Sequence, residues 1–228
     1  MTTRICVSIL PKKKLEAFSL IKIAEKAKAD LIEVRLDCIE TSRPDLTDLV
    51  KSAKIPLIAT NKLPSEKGYF AGTEAERQQT LFNAAENGFE YIDVDLSSPN
   101  PKETINKLKV LGAKPIVSFH KFDGALSVPE MKIVLEQEIA IGADVCKIIV
   151  TAKKNEDNLT ALNFVSTVTS KAKLVCFCMG ELGKLSRLLS PMFGAFFTFA
   201  SLQEGSETAA GQMTIQEMRA AYDLLELK

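Results

Sequence analysis

The chain has no excess of either charge: Lys and Arg number 29, Asp and Glu number 29, and the formal net charge is zero. Without an acidic or basic field, neither a nucleic acid nor a membrane surface is expected as partner, and a small polar solute is the default ligand. Histidine is nearly absent, with one in 228 residues. None of the five cysteines, Cys6, Cys38, Cys146, Cys176 and Cys178, forms a CxxC or a Cys/His pair at metal-ligand spacing. No metal site is therefore expected, and the thiols, lying in or beside predicted strands, are expected to be buried and reduced. No apolar run approaches the length of a membrane span, Arg4 enters a strand without a basic and then apolar leader, and no linker-like stretch interrupts the chain. These absences predict one cytoplasmic domain over residues 1–228, large enough to bury a substantial core.

What is present is alternation. Apolar strand-like runs cover residues 4–10, 31–37, 56–62, 89–96, 114–120, 144–150, 173–180 and 195–201. Segments of helical periodicity follow them at 15–27, 44–53, 75–88, 103–112, 128–142, 155–170, 183–194 and 214–227. Pro44 suits the first turn of the second helix. Met131, Val134, Leu135 and Ile139 are predicted to face the core from the fifth helix, and Met218, Ala221, Tyr222 and Leu225 from the last. Eight βα units in a chain of this size predict an α/β fold, a closed (β/α)8 TIM barrel.

Within those strands the charges are misplaced for simple packing. Lys147 stands in the middle of the apolar run DVCKIIV, and an ammonium buried without a partner is expensive. A lysine in a strand can snorkel to solvent; alternatively desolvation favours the neutral, nucleophilic amine that forms imines with ketones. One strand earlier, IVSFH ends in His120, the only histidine, either a satisfied structural group or a general acid/base. Glu33, Arg35 and Asp37 alternate along strand two and are predicted to share one face. Lys62, Asp93 and Asp95 join them near the strands' C-terminal ends, where barrels of this class carry their active sites. Eight converging charges are hard to explain as packing alone.

These residues resemble a family, the type I 3-dehydroquinate dehydratases of the shikimate pathway, over essentially the whole chain. EVRLD at 33–37, SFH ending at His120, the strand lysine Lys147, MGxxGxxSR from Met179 to Arg187, TFA around Phe199 and AGQ ending at Gln212 occur in family order. The resemblance implies a hydro-lyase in which Lys147 forms a Schiff base with the ketone of 3-dehydroquinate. His120 then removes a proton from carbon 2 and returns it to the departing hydroxyl at carbon 1, and water finally releases 3-dehydroshikimate. It implies that Glu66, on a lid loop, orients His120. Glu33 and Arg35 would hold ring hydroxyls, with Asp37 and Asp93 in support. Arg187 and Gln212 would grip the carboxylate, with Phe199 walling the ring. No cofactor and no metal are implied, and a cytoplasmic homodimer is.

Three positions depart from the family pattern. Lys62 stands where an arginine is usual, so a planar fork becomes a point charge, expected to contact substrate in the arginine's place. Glu66-Lys67-Gly68 replaces Glu-Gly-Gly, and Thr208 replaces a serine near the closing loop while keeping its hydroxyl. Between the two lysines, Lys147 is expected to be the nucleophile because its neighbours Cys146, Ile148 and Ile149 are apolar, while Lys62 opens into a polar loop carrying Glu66. A class I aldolase or transaldolase on the same barrel, or a metabolite-binding barrel without catalysis, remains an alternative from the residues alone.

Overall fold

The computed structural model describes residues 3–40, 46–168 and 171–226. Its strands are β1 (Ile5–Ile9), β2 (Leu31–Arg35), β3 (Leu57–Thr60), β4 (Tyr91–Asp95), β5 (Lys114–His120), β6 (Val145–Thr151), β7 (Leu174–Met179) and β8 (Thr198–Ser201). The α-helices are α1 (Lys14–Lys26), α2 (Leu49–Ser52), α3 (Glu74–Glu86), α4 (Pro101–Val110), α5 (Val128–Ala140), α6 (Glu156–Val168), α7 (Lys184–Leu189) and α8 (Ile215–Leu224). Every paired strand is parallel to its neighbour, in the order β7-β6-β5-β4-β3-β2-β1-β8. Between β7 and β8 the described residues form no ladder, but the Phe196 N–H donates to the Leu174 carbonyl at 2.7 Å and bridges the seam. The strands form the expected (β/α)8 barrel, closed but for this one seam.

Strand alternation sorts the core into two shells. Leu31, Ile58, Tyr91, Ile116, Val145, Val175 and Phe197 point inward and fill the barrel floor. Ile32, Val34, Ile92 and Val94 point outward under the helices on one side, and Cys146, Ile148, Val150 and Cys176 on the other. Each fully buried aliphatic side chain contributes about 1.5–3 kcal/mol, so both shells hold the frame on which charged groups can be mounted. Three helices start with reciprocal capping boxes, Thr73 with Glu76, Ser127 with Glu130 and Thr214 with Glu217. No helix among the described residues is long and apolar enough to cross a membrane.

Several expectations are corrected. The second helix is only Leu49–Ser52, and Pro44 lies outside the described residues. Strand three stops at Thr60 because the next two carbonyls are taken elsewhere: Asn61 O accepts from Arg77 Nη1 at 3.0 Å and Lys62 O from the Phe70 N–H at 3.1 Å. Asp37 does not continue the strand; it sits in a 3-10 turn, Leu36–Cys38, and folds back onto Arg35. Helix seven breaks into Lys184–Leu189 and a 3-10 turn, Ser190–Phe193, at Pro191, which has no N–H to donate. Ile139 and Leu225 are exposed, while Glu138, one position away on α5, is completely buried. Cys38 is only partly buried, unlike the other four thiols.

Candidate active site

The upper half of the barrel interior is polar. Two residues above the apolar floor along each strand stand Glu33, Thr60, Asp93, Ser118 and Lys147, and the ladder registers bring Ser118 opposite Lys147 and Asp95 opposite Ser118. Above them opens a cavity of about 1120 Å³. That is slightly more than the usual range of roughly 300–1,000 Å³ for a small-molecule site. The catalytic candidates Lys147, His120 and Glu66 line it. So do Glu33 and Arg35 from β2, Lys62 just beyond β3, and Arg187, Phe199, Thr208 and Gln212 from the last two units. Asp37 and Asp93 are buried just behind this lining.

Lys147 Nζ lies 2.9 Å from Asp93 Oδ2, 3.8 Å from Glu33 Oε1 and 4.6 Å from the centre of the Phe199 ring. Of the three apolar neighbours expected around the amine, Cys146 and Ile148 point to the opposite face of the sheet and Ile149 alone lines the cavity with it. Glu33 is itself fixed, accepting from Ser8 Oγ at 2.6 Å and Thr60 Oγ1 at 2.9 Å.

Lys62 shares the same carboxylate. Its ammonium donates to Asp93 Oδ1 at 2.7 Å, to Ser118 Oγ at 2.9 Å and to Asp95 Oδ1. Burial lowers its pKa, but Asp93 and Asp95 outweigh burial and raise it, so Lys62 is held as the cation. The cause is this buried network, not an open polar loop. All three ammonium protons are engaged, which leaves none directed at a ligand. Burial pushes the Asp93 carboxyl up, yet Lys147 and Lys62 together hold it well below the usual carboxylate range. Arg77 closes the network from α3, 3.5 Å from Asp95 Oδ2 and paired with Glu74 at 2.7 Å.

His120 Nδ1 lies 3.4 Å from Glu66 Oε2, close enough for an ion pair but without hydrogen-bond alignment. Burial, with Lys62 and Lys147 nearby, holds the imidazole pKa well below 6.5, while burial and Asp95 raise that of Glu66. Both shifts oppose a charged pair, so at neutral pH the contact involves a neutral imidazole. Phe122 stacks on that imidazole at 5.8 Å with an interplanar angle of 7°. Lys67, the departure from Glu-Gly-Gly, adopts φ 56° and places Nζ 4.5 Å over the Phe122 ring. A left-handed residue with a Cβ costs roughly 1–2 kcal/mol and an exposed cation–π contact returns about 0.5–1 kcal/mol. Gly68 is required: a Cβ there would lie 2.1 Å from Lys62 O.

Arg35 is bidentate to Asp37, Nε to Oδ1 at 2.9 Å and Nη2 to Oδ2 at 2.6 Å; burial lowers its pKa but these bonds raise it further. Asp37 Oδ2 also accepts the Tyr69 N–H at 3.0 Å, tying Arg35 to the loop that carries Glu66. Arg187 is 1% exposed, lies 4.4 Å over Phe177, and has no hydrogen-bond partner for Nε or Nη2. Burial lowers its guanidinium to about 10, so it is still cationic at neutral pH with unspent donors. Gln212 Oε1 accepts from the Thr208 N–H at 2.7 Å and Thr208 Oγ1 at 3.2 Å, which orients the amide NH2 away from them. Among the described residues one group has metal-compatible spacing, Glu66, Asp95 and His120. Asp95 is already neutralised by Lys62 and Arg77, so this donor set does not fit a cation.

A type I 3-dehydroquinase family model matches residues 5–228. The chain belongs to the type I 3-dehydroquinase family. A 3-dehydroquinate dehydratase of Dehalococcoides mccartyi is 37% identical over 194 residues, covering 85% of each chain. One from Methanothermobacter thermautotrophicus is 33% identical over 220 residues, covering 96% of each. The solved type I enzyme of Clostridium difficile, with covalently modified comenic acid, superposes with TM-score 0.88 at 26% identity over 98% of this chain and 92% of that one. Family membership accounts for a barrel whose polar half is concentrated at one mouth.

Sequence reasoning passed over four groups that build the site. Ser8 and Thr60 point inward by the same alternation that marks Glu33 and could have been found that way. Phe122 lies two residues beyond the end of β5, and Arg77 sits on a helix, where strand alternation no longer applies.

Proposed function

We propose that this chain is a 3-dehydroquinate dehydratase that eliminates water through an imine on Lys147. The observation that carries the reading is a buried lysine at a barrel mouth, paired with Asp93 at 2.9 Å, beside a neutral histidine on the adjoining strand. As the amine, Lys147 adds to the substrate ketone and the carbinolamine loses water. The resulting iminium keeps a positive charge where the ammonium stood, so Asp93 stabilises both. The iminium draws electrons from carbon 2, and the neutral imidazole of His120 is in the form that accepts the proton there. The imidazolium then gives the proton to the hydroxyl leaving carbon 1 as water. Hydrolysis of the new iminium releases 3-dehydroshikimate and restores the lysine, for a net loss of one water.

Arg187 and Gln212 offer free N–H donors for the substrate carboxylate, and Arg35, made rigid by Asp37, offers its remaining donors to a ring hydroxyl. Lys62 serves Asp93 and Asp95 more than it serves a ligand. The same family resemblance supports a one-domain cytoplasmic homodimer, which light scattering on the purified chain checks for mass. The deciding test is an ultraviolet assay of the purified protein with 3-dehydroquinate: rising absorbance of the conjugated product is expected, and no product would overturn the reading.

A further inference from the structure

The imidazole of His120 lacks an aligned hydrogen bond at Nδ1, so hydrogen bonding does not fix its plane. What lies against it is Phe122, parallel within 7° at 5.8 Å, an offset stack. The Phe122 platform is anchored: Thr151 Oγ1 donates to the carbonyls of Lys121 at 2.9 Å and Phe122 at 3.1 Å, and the Lys121 N–H donates to Ile149 O at 2.8 Å. Over the same ring sits Lys67 Nζ at 4.5 Å, one residue after Glu66. Adjacent residues of one turn thus reach one histidine by two routes, Glu66 at its edge and Lys67 through its stacking partner.

We propose that Phe122 and Lys67 are positioning residues for His120, a cation-capped aromatic platform that fixes the imidazole plane while Glu66 meets Nδ1 and Nε2 is left for the reacting proton. The proposal rests on His120 being the acid/base of the proposed reaction. Phe122 also excludes water from the imidazole, and burial is the largest cause of its low pKa. The charged groups that face His120 are Glu66, Asp95, Lys62, Lys147, Asp93 and Arg35. None of them is altered by changing Phe122.

The test uses the full-length protein, with folding checked by thermal melting, and compares kcat, KM and the acidic limb of kcat/KM. Phe122→Leu should lower kcat by about ten- to a hundredfold, the scale of a misplaced catalytic group, with KM little changed. Its acidic limb should move to higher pH as water reaches the imidazole. Phe122→Tyr, which keeps the ring, should restore the limb and most of kcat. Lys67→Met should cost about two- to fivefold in kcat, Lys67→Arg should recover it, and Lys67→Met should add nothing in the Phe122→Leu background. His120→Ala should lower turnover by about a hundredfold to ten-thousandfold. A folded Phe122→Leu with unchanged kcat and limb, beside a crippled His120→Ala, overturns the platform alone. A defect confined to KM overturns it too, in favour of direct substrate contact. An active His120→Ala overturns instead the acid/base reading beneath it.

Discussion

Lys62 and Lys147 stand on opposite sides of one carboxylate, and both are 5% exposed. Lys62 gives its three protons to Asp93, Asp95 and Ser118 and is backed by Arg77. Lys147 has one acceptor at bonding distance, Asp93, with Glu33 farther off at 3.8 Å, and otherwise faces Phe199 and the cavity. The same residue type at the same depth is thus locked on one side and left with spare coordination on the other. Burial alone does not make a lysine a nucleophile; the number of acceptors around it decides whether the amine can be released.

The largest effect separates the two directly. Lys147→Met should lower turnover by at least about 10⁴-fold, as loss of a covalent nucleophile does, and a steady-state assay with 3-dehydroquinate reads it. Lys62→Met should act first on stability, costing about 3–5 kcal/mol in urea unfolding, because among the described cations Asp95 then keeps Arg77 alone and Asp93 Lys147 alone, beside the Ser118 hydroxyl. A Lys62→Met protein of ordinary stability would mean that the network around Lys62 is not the lock described here.

How far this contrast was legible in the sequence depends on how local the signal is. Alternation along one strand placed Glu33, Arg35, His120 and Lys147 at the mouth, because a strand's period is fixed by its backbone. The partners of Lys62 come from β4 and β5, with Arg77 of α3 backing Asp95, and no spacing along the chain reveals which carboxylate meets which cation. For the same reason two of the three apolar neighbours of Lys147 misled: Cys146 and Ile148 are adjacent in sequence and on the other side of the sheet, while Ile149 faces the cavity. On α5, helical spacing pointed to Ile139, but the face turns one residue short and buries Glu138. The Arg35–Asp37 pair depends on a 3-10 turn where a continuing strand was expected.

A third change tests the binding side of the cavity. Arg187→Ala should cost about 2–5 kcal/mol in kcat/KM, mostly through a higher KM, since the substrate carboxylate is present in ground and transition states alike. An unchanged KM would place the carboxylate elsewhere.

The smallest effect concerns what stands behind Lys147. Glu138 is buried against the outer face of β6 with neither carboxyl oxygen in an aligned hydrogen bond, and the Cys146 thiol and the Lys147 backbone are its nearest polar company. Burial raises its pKa well above the ordinary carboxyl value. The folded chain therefore keeps a proton that the unfolded chain releases, and stability falls as pH rises above the ordinary carboxyl range. Glu138→Met should stabilise the protein by about 1–3 kcal/mol at pH 8, with the gain shrinking toward pH 4. Melting curves across that range check the sign; a gain that grows on acidification would contradict it.

The contrast between the two lysines is tested most directly by borohydride reduction of the protein with 3-dehydroquinate, followed by peptide mass mapping. The adduct should lie on the peptide containing Lys147, persist in Lys62→Ala and vanish in Lys147→Ala. An adduct on Lys62 in the unmodified protein would contradict the account.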